Sequence, residues 1–217
     1  MSETTLHIPV EGGKIRLEGA FEEGRTGRNA VLCHPHPLYG GNMNNNVVLA
    51  ARNAFAESGR GTLRYNFRGV GGSGGEPGDG DKDSEDLLAV SEYVRKNYPG
   101  QLDLAAYSYG SWVALKAVRL GLTPDLLVLI SPPLEFISFA GLDLPDLPML
   151  ITIGNEDEFC SVEALRKWLA NQPNAARAEV EIFPYGDHFY WGLEQKLSAR
   201  IAEFLKTMKS ETVNNEL

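Results

Sequence analysis

Cysteine is scarce in this chain: its 217 residues hold only Cys33 and Cys160. Two thiols make no disulfide framework and suit a reducing compartment, so each reads as core packing and not as a nucleophile. Long apolar runs are missing as well. The longest aliphatic stretch, Leu126 to Ile130, is far below the roughly 18 residues of a membrane-spanning helix. Met1 to Val10 has neither the basic start nor the apolar stretch of a secretory signal. A cytoplasmic protein without a membrane partner is expected. Basic side chains are in deficit, 20 against 29 acids for a net charge of −9, and no Lys/Arg stripe is offered to phosphates, so nucleic acid is not an expected partner. Repeats and linkers are also lacking. The nearest linker-like stretch, Gly69 to Asp83, is too short to separate two cores. One domain over residues 1–217 is expected, with a loosely ordered tail from about 209.

What is present is an ordinary globular composition, 43% hydrophobic and 23% charged, in a chain long enough to bury a core without metal or disulfide. Thr5 to Val10 and Lys14 to Ala20 alternate apolar and polar residues around Glu11-Gly12-Gly13, which predicts an antiparallel hairpin at a sheet edge. Short apolar runs without alternation follow at Ala30–Cys33, Thr62–Asn66, Leu102–Ala106, Leu126–Ile130, Met149–Ile153 and Val180–Phe183. They read as buried parallel strands. Helix-period segments lie between and after them: Asn46–Glu57, Ser84–Asn97, Ser111–Leu120, Val162–Ala170 and Gly192–Met208. This alternation predicts an α/β architecture: a mostly parallel sheet of about eight strands, helices on both faces, and chemistry beyond the carboxyl ends of the strands.

One strand end stands out. Leu102–Ala106 runs into Tyr107-Ser108-Tyr109-Gly110 and then a helix, the pattern of a nucleophile elbow, where small flanking residues let strand and helix approach at a strained turn. Ala106 replaces the usual first glycine, and a helix-capping serine is the plain alternative. A serine nucleophile needs a base, and imidazole has the right pKa. Of the four histidines, His7 lies in the hairpin and His34 and His36 follow an early strand, while His188 follows the last strand, in a loop that Gly186 lets turn. The orienting acid should follow an intermediate strand, and Met149–Ile153 leads through Gly154 to Asp157, flanked by Glu156 and Glu158. Ser108, Asp157 and His188 then stand in the chain order of α/β hydrolases, unlike the orders of chymotrypsin-like or subtilisin-like enzymes. Two N–H groups should receive the oxyanion: that of Tyr109, after the nucleophile, and one from His34-Pro35-His36-Pro37-Leu38-Tyr39. Proline has no N–H, so His36, Leu38 and Tyr39 are the candidates, with His36 favoured.

These blocks, with Gly40-Gly41-x-Met43-x-Asn45 and Arg64-x-Asn66-Phe67-Arg68-Gly69-x-Gly71-x-Ser73, span most of the chain. It resembles the compact α/β hydrolases related to dienelactone hydrolase. The resemblance implies a serine hydrolase of the α/β-hydrolase fold with no or minimal cap, acting on a small acyl substrate of the carboxylester type, with the triad as placed above and no cofactor.

Three competing readings are weighed against it. Gly69-Val70-Gly71-Gly72-Ser73-Gly74 satisfies a dinucleotide pattern, but no helix signal appears before Ser84, whereas that pattern should open a helix at once. Asp79, Asp81, Asp83 and Glu85 imitate a calcium loop, but Ser84 and Val90 stand where glycine and a bidentate glutamate are needed. Those acids are read as stabilising the N-terminus of the helix. His34 and His36 lack a third ligand at zinc spacing, so no metal is expected. A non-catalytic binding module of the same fold is the remaining alternative. Around the site, Phe136, Ile137 and Phe139 are expected to form a short apolar flap, and Tyr107, Tyr109, Trp112, Tyr190 and Trp191 to line the pocket.

Overall fold

The structure, a computed structural model, describes residues 2–214, with side chains to residue 208. Eight strands form one sheet in the order β1-β2-β4-β3-β5-β6-β7-β8. The hairpin of β1 (Thr4–Val10) and β2 (Ile15–Glu22) occupies one edge, and β2 runs antiparallel to β4 (Gly61–Tyr65). β3 (Arg28–Cys33), β4, β5 (Gln101–Tyr107), β6 (Leu126–Ile130), β7 (Met149–Gly154) and β8 (Ala178–Phe183) are parallel. The architecture is the predicted one. Strands covered on both faces favour continuous apolar residues, and β6 and β7 are readable as such runs, whereas β4 carries the buried Thr62 and Arg64 and β5 the buried Asp103.

β8 departs from that reading. Residues 180–183 were expected to form a buried strand, but β8 is the second edge, and Val180 is 40% exposed. Its glutamates turn toward the last helix, where Glu181 accepts from Arg200 at 3.0 Å and Glu179 at 2.5 Å.

α1 (Asn46–Glu57) and α5 (Glu194–Asn214) cover one face, packing Val47, Ala51, Phe55, Leu197, Ile201 and Phe204 onto the alternate residues Ala30, Leu32, Ala105 and Val128. The other face of the same strands, with Val31, Cys33, Leu104 and Leu127, packs against α2 (Asp81–Asn97), α3 (Tyr109–Arg119) and α4 (Val162–Leu169). α2 starts three residues ahead of the predicted Ser84, because Asp79 accepts from Lys82 N–H at 3.3 Å and starts the first turn. Of the stretch from about 209 for which loose order is expected, residues 215–217 lie outside the described range. No helix among the described residues is long and apolar enough to cross a membrane.

The sheet order places the site. β3 is flanked by β4 on one side and β5 on the other, so the winding reverses between β3 and β5, and a crevice opens where their carboxyl ends diverge. The His34–Gly41 loop leaves β3 there, and Ser108 leaves β5.

Candidate active site

Ser108 sits between β5 and α3 at φ 54° and ψ −123°, a conformation that costs free energy in any residue with a Cβ. The neighbours hold it there. Its N–H donates to the Ile130 carbonyl at 2.8 Å, and its carbonyl accepts from Ser111 N–H at 2.8 Å. A Cβ on Gly110 would lie 2.8 Å from the His34 carbonyl oxygen and 2.9 Å from that of Cys33, so only glycine lets α3 approach β3. Ala106 pairs in register with Cys33, and its methyl is accepted in the core. Although Ser108 is the residue before α3, its side chain makes no capping hydrogen bond. The Oγ lies 2.8 Å from His188 Nε2.

His188 stands on the loop between β8 and α5 and is 5% exposed. Its Nδ1 is 2.9 Å from each oxygen of Asp157. Asp157 Oδ1 also accepts from Phe159 N–H at 2.9 Å and Cys160 N–H at 3.1 Å, so the turn after β7 holds the carboxylate by bonds of its own. Its neighbours Glu156 and Glu158 are exposed. A Cβ on Gly154 would meet the Gly186 oxygen at 2.0 Å. This close approach brings the two loops together, and Glu156 N–H then donates to that same oxygen at 2.8 Å. Tyr107, the residue before the serine, donates through its hydroxyl to the His188 carbonyl at 2.9 Å.

The remaining histidines go elsewhere. His7 is exposed on β1. His34 is buried, its Nε2 accepting from Phe67 N–H at 3.0 Å and its Nδ1 lying 2.7 Å from the Pro35 carbonyl. This fixes the neutral Nδ1–H form, and burial lowers the pKa to about 4. His34 thus ties the β3 loop to the β4 loop, with no nitrogen left for a metal. The unfolded chain takes up this proton near 6.5 and the folded chain only near 4. Below 6.5 the unfolded state therefore binds more protons, and stability falls with pH through that window by about 3 kcal/mol. Urea unfolding from pH 7 to pH 4 should show this loss, and His34→Gln, less stable at pH 7, should lack that part of the slope.

The glycine loop also serves the fold. Gly72 N–H and Asn66 Nδ2 both donate to Glu18 Oε2 at 2.7 Å, and Arg68 holds Asp86 at 2.7 Å. The loop closes on a carboxylate of the hairpin, an arrangement opposed to a pyrophosphate cradle. Burial pushes the thiols of Cys33 and Cys160 up to about 12, which suits packing and not reactivity.

A cavity of about 450 Å³ opens over Ser108 and His188, walled by Tyr39, Tyr107, Tyr109, Phe136, Phe159 and Trp191 among others. Two expected lining residues are absent from it. Tyr190 turns inward, and its hydroxyl meets Thr152 at 2.9 Å and Ser131 at 3.1 Å. Trp112 packs on Gly80 and donates to the Ser138 carbonyl. Phe136 and Ile137 line the cavity as the flap expectation has it, whereas Phe139 is buried against Trp168.

This geometry can be set beside known proteins. No family model matches the chain. The uncharacterized protein RP471 of Rickettsia prowazekii is 33% identical over 214 residues, which cover 94% of this chain and 90% of the relative. An α/β serine hydrolase homologue from Coxiella burnetii superposes with a TM-score of 0.83 at 30% identity, over 94% of this chain and 97% of that one. The chain belongs to the α/β serine hydrolases. XC6422 from Xanthomonas campestris, an α/β serine hydrolase without a lid, superposes with a TM-score of 0.86 at 29% identity, over 96% of this chain and 95% of its own. Among the described residues this α/β serine hydrolase likewise has no lid, and the loop between β6 and β7 brings Phe136 and Ile137 to the cavity.

One residue that bears on the site escaped the sequence reading. Asp83, read as a charge favouring the start of α2, is buried and accepts from the Tyr109 hydroxyl at 2.5 Å. Burial pushes its carboxyl above the usual range. On the ring it holds lies the His36 imidazole, 4.5 Å away between centroids. A signal was available: Asp83, Leu87, Val90 and Val94 fall at helical spacing on one face.

Proposed function

We propose that the protein hydrolyses small carboxylic esters or related acyl compounds through an acyl-enzyme, as a compact hydrolase related to dienelactone hydrolase. The observation that carries this reading is the continuous hydrogen-bonded line from Ser108 Oγ through His188 to Asp157. Imidazole held by a carboxylate at Nδ1 presents Nε2 as an acceptor, so it takes the Ser108 proton as Oγ bonds to the acyl carbon. Asp157 stabilises the imidazolium. His188 then passes the proton to the leaving oxygen as the ester C–O bond breaks. A water, deprotonated by the same nitrogen, attacks the acyl carbon and releases the acid and Ser108.

For the oxyanion, Tyr109 N–H stands in the first position of α3, where no helical partner exists. Of the three candidates in the β3 loop, Leu38 N–H donates to His36 Nδ1 at 3.2 Å and Tyr39 N–H to the His36 carbonyl at 3.1 Å. Among the described hydrogen bonds none uses His36 N–H, which supports His36 as the second donor. Asp83, through the Tyr109 ring, is then a positioning residue for both donors. Asp83→Asn is expected to lower kcat on p-nitrophenyl acetate by about 10- to 100-fold with KM little changed, because misplacement affects the transition state more than the ester. A fall in stability with kcat intact would refute that role.

Labelling with a fluorophosphonate tests the hydrolase reading directly. The expected adduct sits on the peptide that contains Ser108, and a wild-type protein that stays unlabelled overturns the proposal.

A further inference from the structure

The walls of the cavity carry a second message, in their rings and in the charges they lack. Tyr39, Phe136, Phe159 and Phe189 follow one another around the mouth in edge-to-face contacts, with centroids 6.0, 5.4 and 6.4 Å apart at angles of 70°, 87° and 88°. Phe159 lies 4.6 Å from the His188 ring. Tyr39 and Phe136 are 75% and 51% exposed. Side chains of this kind are left in water at a concave site where a ligand covers them.

The chain has 20 Lys and Arg, yet none lines this cavity. Stretches 33–46, 107–109, 132–139, 155–161 and 184–194, which bring the lining residues to the mouth, contain no Lys or Arg at all. No acid lines it either: Glu135 accepts from Ser161 N–H at 2.6 Å, Asp187 accepts from Phe189 N–H at 3.0 Å, and Glu158 is exposed. A carboxylate entering here would give up water for ring faces, with no Lys or Arg to receive it. A cation would meet aromatic faces in a chain of net charge −9, both favourable.

We propose that this pocket sorts esters by the sign of their charge: it accepts neutral acyl chains and chains ending in a quaternary ammonium, and rejects chains that carry a carboxylate. The proposal rests on the hydrolase reading above.

Three substrates with one leaving group test it: p-nitrophenyl butyrate, p-nitrophenyl hemisuccinate, and a p-nitrophenyl ester bearing a trimethylammonium group at the chain end. The expected kcat/KM for the hemisuccinate is at least about 100-fold below that of the butyrate, and the ammonium ester matches or exceeds the butyrate. Phe136→Arg, at a half-exposed position, should raise the ratio of hemisuccinate to butyrate by about tenfold or more by supplying the missing partner. Comparable rates for hemisuccinate and butyrate overturn the proposal, as does rejection of the ammonium ester as strong as that of the hemisuccinate. p-Nitrophenyl phosphonates with the same three chain ends read the same order as rates of Ser108 modification, so the sorting is measured even where turnover is slow. If none of the three phosphonates modifies Ser108, the hydrolase reading itself fails. Equal rates of modification by all three overturn the sorting by charge alone.

Discussion

Ser108→Ala is expected to lower kcat on p-nitrophenyl acetate by about 10⁵-fold or more and to abolish fluorophosphonate labelling, with the fold unchanged. The size follows from what the hydroxyl does here. Its Oγ is the one atom placed both 2.8 Å from His188 Nε2 and at the N-terminus of α3, where an oxyanion would be met. Without it, the remaining donors can assist only direct attack by water, a route that keeps a small residual catalysis. Alanine also keeps the Cβ that the strained turn already tolerates, so near-wild-type unfolding curves should accompany the loss. A variant that retains a tenth of the activity would assign the nucleophile elsewhere.

Asp157→Asn is the second large effect, about 10⁴-fold in kcat, and its cause can be traced atom by atom. Oδ1 accepts from Phe159 and Cys160 N–H, so the amide oxygen of asparagine must occupy that position. The amide NH₂ then faces His188 Nδ1. The retained oxygen and the new donor stand at the same 2.9 Å from Nδ1, so the NH₂ favours Nδ1 as acceptor with the ring proton on Nε2, a tautomer that leaves Ser108 facing a donor where it needs a base. Glu156→Gln and Glu158→Gln, which change exposed neighbours, should leave kcat within a factor of about two, as surface changes of this kind do. Kinetics of the three variants in parallel separate the tautomer effect from a general loss of negative charge.

Much of this arrangement can be read in the sequence because the sheet interior leaves little freedom. Leu126–Ile130 can be little other than a covered strand, and Ser108, Asp157 and His188 each follow a strand, in one chain order. Direction is harder to read than position. Tyr190 and Trp191 are neighbours, yet a positive φ of 55° at Tyr190 sends its ring under the sheet while Trp191 stays at the mouth. β8 shows a different gap. Ala178-Glu179-Val180-Glu181-Ile182-Phe183 alternates as a one-sided strand does, but its apolar half resembles the buried strands before it, and only the partner Arg200 on α5 shows why the charges are there. Asp83 was missed because an acid in a first helical turn has a sufficient local explanation, and its tertiary partner Tyr109 is invisible until α2 and α3 are packed.

The edge position of β8 divides the machinery by depth. The proposed nucleophile and oxyanion loop grow from the centre of the sheet, the part of a fold that opens last. The proposed base arrives on the connection from an outermost strand, whose free side pairs with no strand among the described residues and which belongs to the part of a sheet that frays first. Catalytic competence therefore has its own melting threshold below that of the core: gentle denaturant should silence turnover reversibly while most central amides still resist hydrogen exchange.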